Sequence, residues 1–187
     1  MTKPLGQKKH FEIDQIQIIR HRLEAAREWR ELALLEVGLA TMLRASDLRR
    51  LSWCDVRDIG GEIKTAARVR MKKTGHIVDV PLTKRAQTAL QALWMKGPKF
   101  GGGRLFGVSE RQMSRWLKRW VKDYLGIDPS PYAMHSLRKT RPALIYRETK
   151  NLAAIQHLLG HQSINSTVKY LGVDRDEALD LAKQFEV

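Results

Sequence analysis

Residues 135–170 read HSLRKTRPALIYRETKNLAAIQHLLGHQSINSTVKY, and this stretch decides how the rest of the chain is interpreted. Its motifs HSLRKT, LLGHQS and STVKYLG place His135, Arg138, His161 and Tyr170 around short apolar helices. Cutting a phosphodiester without a metal needs cations that hold the developing negative charge and a nucleophile that can keep the phosphate covalently. Guanidinium, imidazole and phenol groups are side chains of that kind.

The charge of the chain indicates its class of partner. It has 187 residues, with 34 Lys plus Arg against 20 Asp plus Glu, a net charge of +14. Such an excess on a small protein favours binding to a polyanion, with nucleic acid first and an anionic membrane surface second. A basic protein that associates with ribosomes, or one that is merely soluble, is the remaining alternative. Charge alone does not specify the chemistry.

Length and composition predict one domain. A chain of this size with 43% hydrophobic residues can bury one core, so we expect a flexible basic arm at residues 1–10 and a single domain at 11–187. No stretch is apolar for long enough to span a membrane, and the basic N-terminus is not followed by the apolar core of a signal peptide. These two features predict a cytoplasmic location. Cys54 is the only cysteine, which excludes an internal disulfide and a multi-cysteine zinc site.

The hydrophobic periodicity predicts a mainly α fold with a small antiparallel β-sheet, an α+β class. The sheet is a hairpin at residues 60–82, where β-branched runs flank the turn KKTG, and a third strand is expected near residues 56–63. Ser46, Thr83 and Asn151 are predicted helix N-caps, and Gly160 is a predicted helix end. Helices are expected from residue 11, at 28–42, from Ser46 to near Trp53, from Thr83 to Met95, at 109–125, at 135–149, at 151–160, at 163–170 and at 174–187.

The segment 109–125 is the most amphipathic part of the chain. Trp116 and Trp120 lie on its apolar stripe and are predicted to be core residues rather than a platform for stacking bases. The opposite face is basic and is a candidate for lying along DNA, with a solvated helix surface as the alternative. The residues predicted to bind DNA are Arg111, Arg115, Lys118 and Arg119.

Five motifs together resemble the tyrosine recombinase, or phage integrase, family. They are LATMLRASDLRRLSWCDV, the KKTG turn, HSLRKT, LLGHQS and STVKYLGV, in the order and at about the spacing of that family's catalytic domain. The resemblance covers nearly the whole chain from Phe11 and implies the fold of the DNA breaking and rejoining enzymes. The separate N-terminal core-binding domain of larger integrases is not seen, so the chain resembles the compact recombinases.

The resemblance implies six catalytic residues. Tyr170 would be the nucleophile, Arg138 and His135 the H-x-x-R pair, and His161 the LGH histidine. Lys73 is preferred over Lys72 as the hairpin lysine because it directly precedes TG. The sixth residue is Arg44, the first arginine of the family pattern.

Two departures from the family pattern surround that arginine. Met42 stands where the family usually has glycine, and Asp47 stands where it commonly has glutamate. In the family pattern Asp47 orients the site, whereas from spacing alone Arg44 could simply pair with it.

The implied activity is site-specific cutting and rejoining of double-stranded DNA through a 3′-phosphotyrosyl bond, without metal, ATP or other cofactor. The expected assembly is a homotetramer on two DNA sites of a mobile element, formed from monomers or weak dimers. Accessory DNA-bending proteins are candidate partners. The predicted C-terminal helix 174–187 would dock on a neighbouring copy or on its own core. DNA relaxation of the type IB topoisomerase kind and a non-catalytic DNA-binding regulator remain alternatives.

A metal site is the last alternative. His157 and His161 stand four residues apart, the spacing of a two-histidine metal pair on one helix. Gly160 is expected to end the helix between them and no third ligand is evident nearby, so no metal site is predicted.

Overall fold

The structure is a computed structural model that describes residues 8–98, 103–161 and 163–171. These residues form nine α-helices and one antiparallel pair of β-strands, which confirms the predicted fold class. None of the described helices is long and apolar enough to cross a membrane. The elements are α1 (Ile13–Ala25), α2 (Trp29–Thr41), α3 (Ala45–Leu48), α4 (Trp53–Val56), β1 (Ala66–Arg70), β2 (Ile77–Pro81), α5 (Lys84–Lys96), α6 (Glu110–Arg119), α7 (Met134–Thr149), α8 (Leu152–Leu159) and α9 (Ile164–Leu171).

The chain divides into two compact units, Met1–Arg141 and Pro142–Val187, and α7 contributes to both. In the first unit, α2 is buried along most of its length and packs on α1 and α5. Trp120 and Phe106 are fully buried in the same core. In the second unit, α8 and α9 pack together and bury Ile155 and Leu159. The single domain predicted for residues 11–187 thus contains two compact units.

The hairpin forms as predicted, but the third strand does not. β1 and β2 pair in antiparallel register, with Val69 opposite Val78, and the turn between them has Gly75 in the left-handed region at φ 73°. Around residues 56–63 there is only an isolated pairing of Arg57 with Ile63. The intervening residues turn back at once, since Gly61 N–H donates to the Asp58 carbonyl. A strand needs a longer extended run on each side of such a turn.

Several helix ends follow the sequence prediction. Thr83 and Asn151 each accept a hydrogen bond from the backbone at the start of α5 and α8, and Gly160 ends α8 at φ 65°. Ser46 is not an N-cap: it lies inside α3, which Arg44 precedes and which ends at Leu48, well before Trp53. The predicted helix 109–125 is present, but it becomes a single π-helical turn at Trp120–Tyr124.

The residues that precede α1 pack onto the first unit. Lys9 N–H donates to the Pro131 carbonyl at 3.1 Å, and the Lys8 ammonium donates to the Ser130 carbonyl at 2.9 Å. The ring of Phe11 stacks on that of Tyr132 with centroids 4.9 Å apart. The predicted arm at residues 1–10 therefore overlaps this packed segment at residues 8–10. Residues 1–7 and the predicted helix 174–187 lie outside the described residues.

Candidate active site

Helix α2 ends in a left-handed residue that is not glycine. Met42 has φ 53° and ψ 26°, and its N–H donates to the Gly38 carbonyl at 3.1 Å. An L-residue in this conformation costs roughly 1–2 kcal/mol because Cβ approaches the following carbonyl. The Met42 side chain is 1% exposed, so its burial offsets that strain. The glycine that the family resemblance implies at this position would adopt this conformation without that cost.

The turn at Met42 places both predicted arginines. Arg138 is 2% exposed and its Nη1 donates to the Met42 carbonyl at 2.5 Å, so the end of α2 holds the guanidinium. Arg44 follows in an extended conformation and is half-buried. Within the described residues, its buried Nη1 meets no hydrogen-bond acceptor. Buried donors in native structures have a partner, so this one is available to a water molecule or a bound ion.

His135 lies in the first turn of α7 beside these arginines. The surrounding protein displaces water from the imidazole and so lowers its pKa below the ordinary 6.5; the positive charges of Arg138, Lys139 and Arg44 lower it further. The ring is therefore neutral at pH 7, the form that can accept a proton. Three of the six predicted catalytic residues, Arg44, His135 and Arg138, thus lie close enough to interact electrostatically.

Lys73 lies on the exposed turn between β1 and β2, and a buried carboxylate holds the base of this turn. Asp47, which is 1% exposed, accepts a hydrogen bond from the Lys72 backbone N–H at 2.8 Å. No ion pair joins Asp47 to Arg44 in the part of the chain that the structure describes. Asp47 thus links the α3 segment next to Arg44 to the hairpin that carries Lys73.

The second unit brings His161 and Tyr170 together. Their rings meet edge to face with centroids 5.5 Å apart and an interplanar angle of 79°. His161 Nδ1 lies 3.0 Å from Thr167 Oγ1, and Thr167 is fully buried. Gly160, in the left-handed conformation, ends α8, and the chain changes direction at this residue. The backbone N–H of the next residue, His161, donates to the Gln156 carbonyl. Helix α9 then returns Tyr170 to the imidazole.

The predicted DNA-binding helix is used in two ways. Arg111 and Arg115 are exposed, and neither has a hydrogen bond or ion pair to a described residue. Lys118 Nζ instead donates to the Pro129 and Ser130 carbonyls. Arg119 binds Glu28 at 3.0 and 2.6 Å and Glu31 at 2.6 Å. Trp116 and Trp120 are buried in the core, as predicted.

Sequence patterns did not identify Thr167 and Lys139 as residues that influence the site. Thr167 stands three residues before Tyr170, so helical spacing could have placed both on one face of α9. Lys139 is 5% exposed, and nothing in its sequence context indicates a buried ammonium. Across the described ranges, no three His, Cys, Asp or Glu side chains are placed to hold a metal ion.

Comparison with known proteins agrees with this fold. The sequence profile of the phage integrase family matches residues 9–177. Among solved structures, the XerA recombinase superposes with a TM-score of 0.74 at 20% identity, covering 97% of this chain and 66% of that one. XerH recombinase bound to palindromic difH DNA superposes at 0.73 and 18% identity, covering 95% and 53%. The fold is that of a tyrosine recombinase catalytic domain, and the chain belongs to the phage integrase family.

The curated relatives are longer proteins of the same kind. Tyrosine recombinase XerA of Saccharolobus solfataricus is 32% identical over 165 residues, which is 88% of this chain and 53% of the relative. Tyrosine recombinase XerC of Pelobacter propionicus is 29% identical over 181 residues, covering 92% and 58%. The chain thus spans a little over half the length of these relatives.

Proposed function

We propose that the chain is a site-specific DNA recombinase that cuts and rejoins double-stranded DNA through a 3′-phosphotyrosyl intermediate. The observation that carries this proposal is the cluster of Arg44, Arg138 and a neutral His135. Two cationic donors beside an uncharged imidazole suit a site that binds an anion and accepts a proton. On the family resemblance, we propose that His161, Tyr170 and Lys73 take part in the same reaction.

The arginines would hold the non-bridging oxygens of the scissile phosphate. A guanidinium stays charged at every working pH and can donate to two oxygens at once. In-line displacement at phosphorus spreads negative charge over these oxygens, so donors that are already in place lower the barrier. Arg138 is held by the Met42 carbonyl and Arg44 has a buried donor to offer, which fits that role. His161 would supply a further donor.

The covalent step would exchange one phosphate ester for another. The Tyr170 oxygen attacks phosphorus and loses its proton, for which neutral His135 is the proposed acceptor, while the bond to the 5′ oxygen breaks. Lys73 would give the departing 5′ oxygen a proton. The new 3′-phosphotyrosyl bond retains the energy of the phosphodiester, so a 5′ hydroxyl can reverse the step without ATP, metal or other cofactor.

A trapping experiment tests this proposal. Nicked duplexes that carry candidate sites from the genomic neighbourhood of the gene lose the short 5′-hydroxyl fragment after cleavage, which leaves the protein attached. We expect a covalent adduct that maps to Tyr170, that forms in EDTA and that Tyr170→Phe abolishes. Attachment at another residue, or an unchanged yield with Tyr170→Phe, would refute the site. Supercoil relaxation without exchange between paired sites would instead indicate a topoisomerase.

We propose in addition that a homotetramer on two DNA duplexes performs the exchange. The support is the apolar stripe in residues 174–187, formed by Ala178, Leu181, Ala182 and Phe185, which would dock on a neighbouring copy. Deleting residues 174–187 should abolish strand exchange and leave DNA binding intact. Unchanged exchange after the deletion would rule out this role. Accessory DNA-bending proteins, if used, would raise the exchange rate of the intact chain in reconstituted reactions.

A further inference from the structure

A polar cavity of about 310 Å³ lies beside the hairpin, within the first unit. Four arginines line it: Arg50 after α3, Arg68 and Arg70 on β1, and Arg104 before α6. None of the six predicted catalytic residues lines this cavity. Guanidinium groups around one small concavity repel one another where no carboxylate neutralises them, and a concave surface focuses their field.

Hydrogen bonds to the backbone hold one side of the cavity in place, and some of its arginine side chains have few partners among the described residues. Arg104 Nη1 donates to the Arg50 carbonyl at 2.5 Å, and Arg104 also pairs through its backbone with Ser52. Arg70 Nη1 donates only weakly to the Gly75 carbonyl, at 3.3 Å. Within the described residues, the exposed Arg50 side chain makes no hydrogen bond or ion pair. Arg68 is paired with Asp79 and contributes less.

The two carboxylates of the lining each accept hydrogen bonds from neighbouring groups. Asp55 accepts hydrogen bonds from Ser52 N at 2.7 Å and Ser52 Oγ at 2.6 Å. Asp47 accepts from the Lys72 N–H through Oδ1 and is 1% exposed, while its Oδ2 meets no donor among the described residues. Because Asp79 neutralises Arg68, three arginines remain against the two aspartates of the lining, an excess of one positive charge. That excess fits a phosphate group.

We infer that this cavity binds a backbone phosphate of the DNA duplex next to the scissile phosphate. The inference rests on the proposed function, because Asp47 joins the cavity lining to the hairpin that carries Lys73. A strand whose scissile phosphate meets Lys73 would bring a neighbouring phosphate past this cavity. The contact would set the position of the strand and would not read its sequence, as phosphate contacts do.

The test measures how salt weakens DNA binding. Arg50→Gln with Arg104→Gln, both in a Tyr170→Phe background, is compared with Arg22→Gln with Arg85→Gln, two exposed arginines outside the cavity. A plot of the logarithm of the DNA association constant against log salt has a negative slope. Each lost phosphate contact reduces the magnitude of this slope by about 0.9. We expect the Arg50→Gln, Arg104→Gln variant to reduce the magnitude of the slope by about 1 and to weaken binding about tenfold. The Arg22→Gln, Arg85→Gln control should change affinity less than threefold. Equal changes in both pairs would overturn the inference.

Two further measurements keep the result interpretable. Arg50→Gln alone removes an exposed side chain that has no hydrogen bond or ion pair to a described residue, so we expect folding to be unaffected and a smaller slope change of the same sign. The Arg50 Nε–H signal in nuclear magnetic resonance should shift with duplex at lower concentration than with inorganic phosphate. A shift with phosphate or an acidic peptide, but none with duplex, would overturn the DNA assignment.

The outcome can be separated from that of the proposed function. If wild type traps DNA at Tyr170 while the cavity variant keeps the wild-type salt slope, only the cavity inference fails. If the cavity variant loses slope but wild type never forms a covalent adduct, the phosphate site is supported and the proposed chemistry fails.

Discussion

The guanidinium of Arg138 and the ammonium of Lys73 are held in opposite ways. Arg138 is buried and donates to a carbonyl at the end of α2, whereas Lys73 is exposed on a turn whose base is bound by Asp47. A group that stabilises transition-state charge must already be in place, and a group that delivers a proton must be able to move toward the leaving oxygen. The difference in burial therefore matches the difference in proposed roles.

The largest effect is expected when Arg138 is changed. Arg138→Lys keeps the charge but loses the forked donor, and should slow covalent adduct formation by 10² to 10³-fold, about 3–4 kcal/mol of transition-state stabilisation. Single-turnover trapping on a nicked duplex measures this rate. Arg141→Lys is the matched control, since Arg141 Nη1 also donates to an α2 carbonyl, that of Ala40, at 2.6 Å. A similar loss in both variants would show that Arg138 acts only through the fold.

Changing Lys73, on the exposed turn, should slow cleavage in a way that depends on the leaving group. Lys73→Ala should slow cleavage about 10²-fold because the 5′ oxygen then leaves without a proton. A substrate with sulfur in place of that bridging oxygen should restore the rate, since a thiolate leaves without protonation. Lys72→Ala, on the same exposed turn, should stay within about threefold of wild type. No rescue by sulfur, or a larger loss at Lys72, would contradict the assignment of Lys73.

Local features of this fold could be predicted from sequence, and long-range contacts could not. The helices, the hairpin and the caps at Thr83 and Asn151 depend on residues within a turn of one another, so their patterns are visible in the sequence. The bond between Asp47 and Lys72 N joins residues 25 apart, and Arg119 reaches Glu28 91 residues away. Helical spacing does not indicate pairings between residues so far apart. For this reason the sequence predicts that Arg119 binds DNA, whereas the structure pairs it with Glu28.

The same limit applies to the site. The motifs indicated which residues belong to it, but not that Met42 turns left-handed and holds Arg138 through its carbonyl. The Ser46 cap was wrong for a related reason. After the left-handed end of α2 the chain enters α3 two residues earlier than predicted, so Arg44 occupies the position before the helix.

Changing Asp47, which links the α3 segment to the hairpin, should have an intermediate effect on the cleavage rate. Asp47→Ala leaves the Lys72 N–H without its acceptor and loosens the base of the turn, so we expect cleavage to slow about tenfold. Asp47→Asn keeps an acceptor oxygen and should retain most of the rate. In a Lys73→Ala background the Asp47→Ala change should have little further effect, because its role passes through Lys73. Additive losses in that double mutant would instead place Asp47 in direct contact with the reaction.

The smallest effect concerns the strained end of α2 and is measured as stability. Met42→Ala and Met42→Gly both remove a side chain that is 1% exposed, so each should destabilise the protein by about 2–4 kcal/mol. They differ because alanine keeps the strain of φ 53° while glycine relieves it. Urea unfolding should therefore find the glycine variant more stable by about 1 kcal/mol, the reverse of the order within a helix. Equal stabilities, or a more stable alanine variant, would mean that Met42 is not strained, and Arg138 would then rest on a relaxed turn.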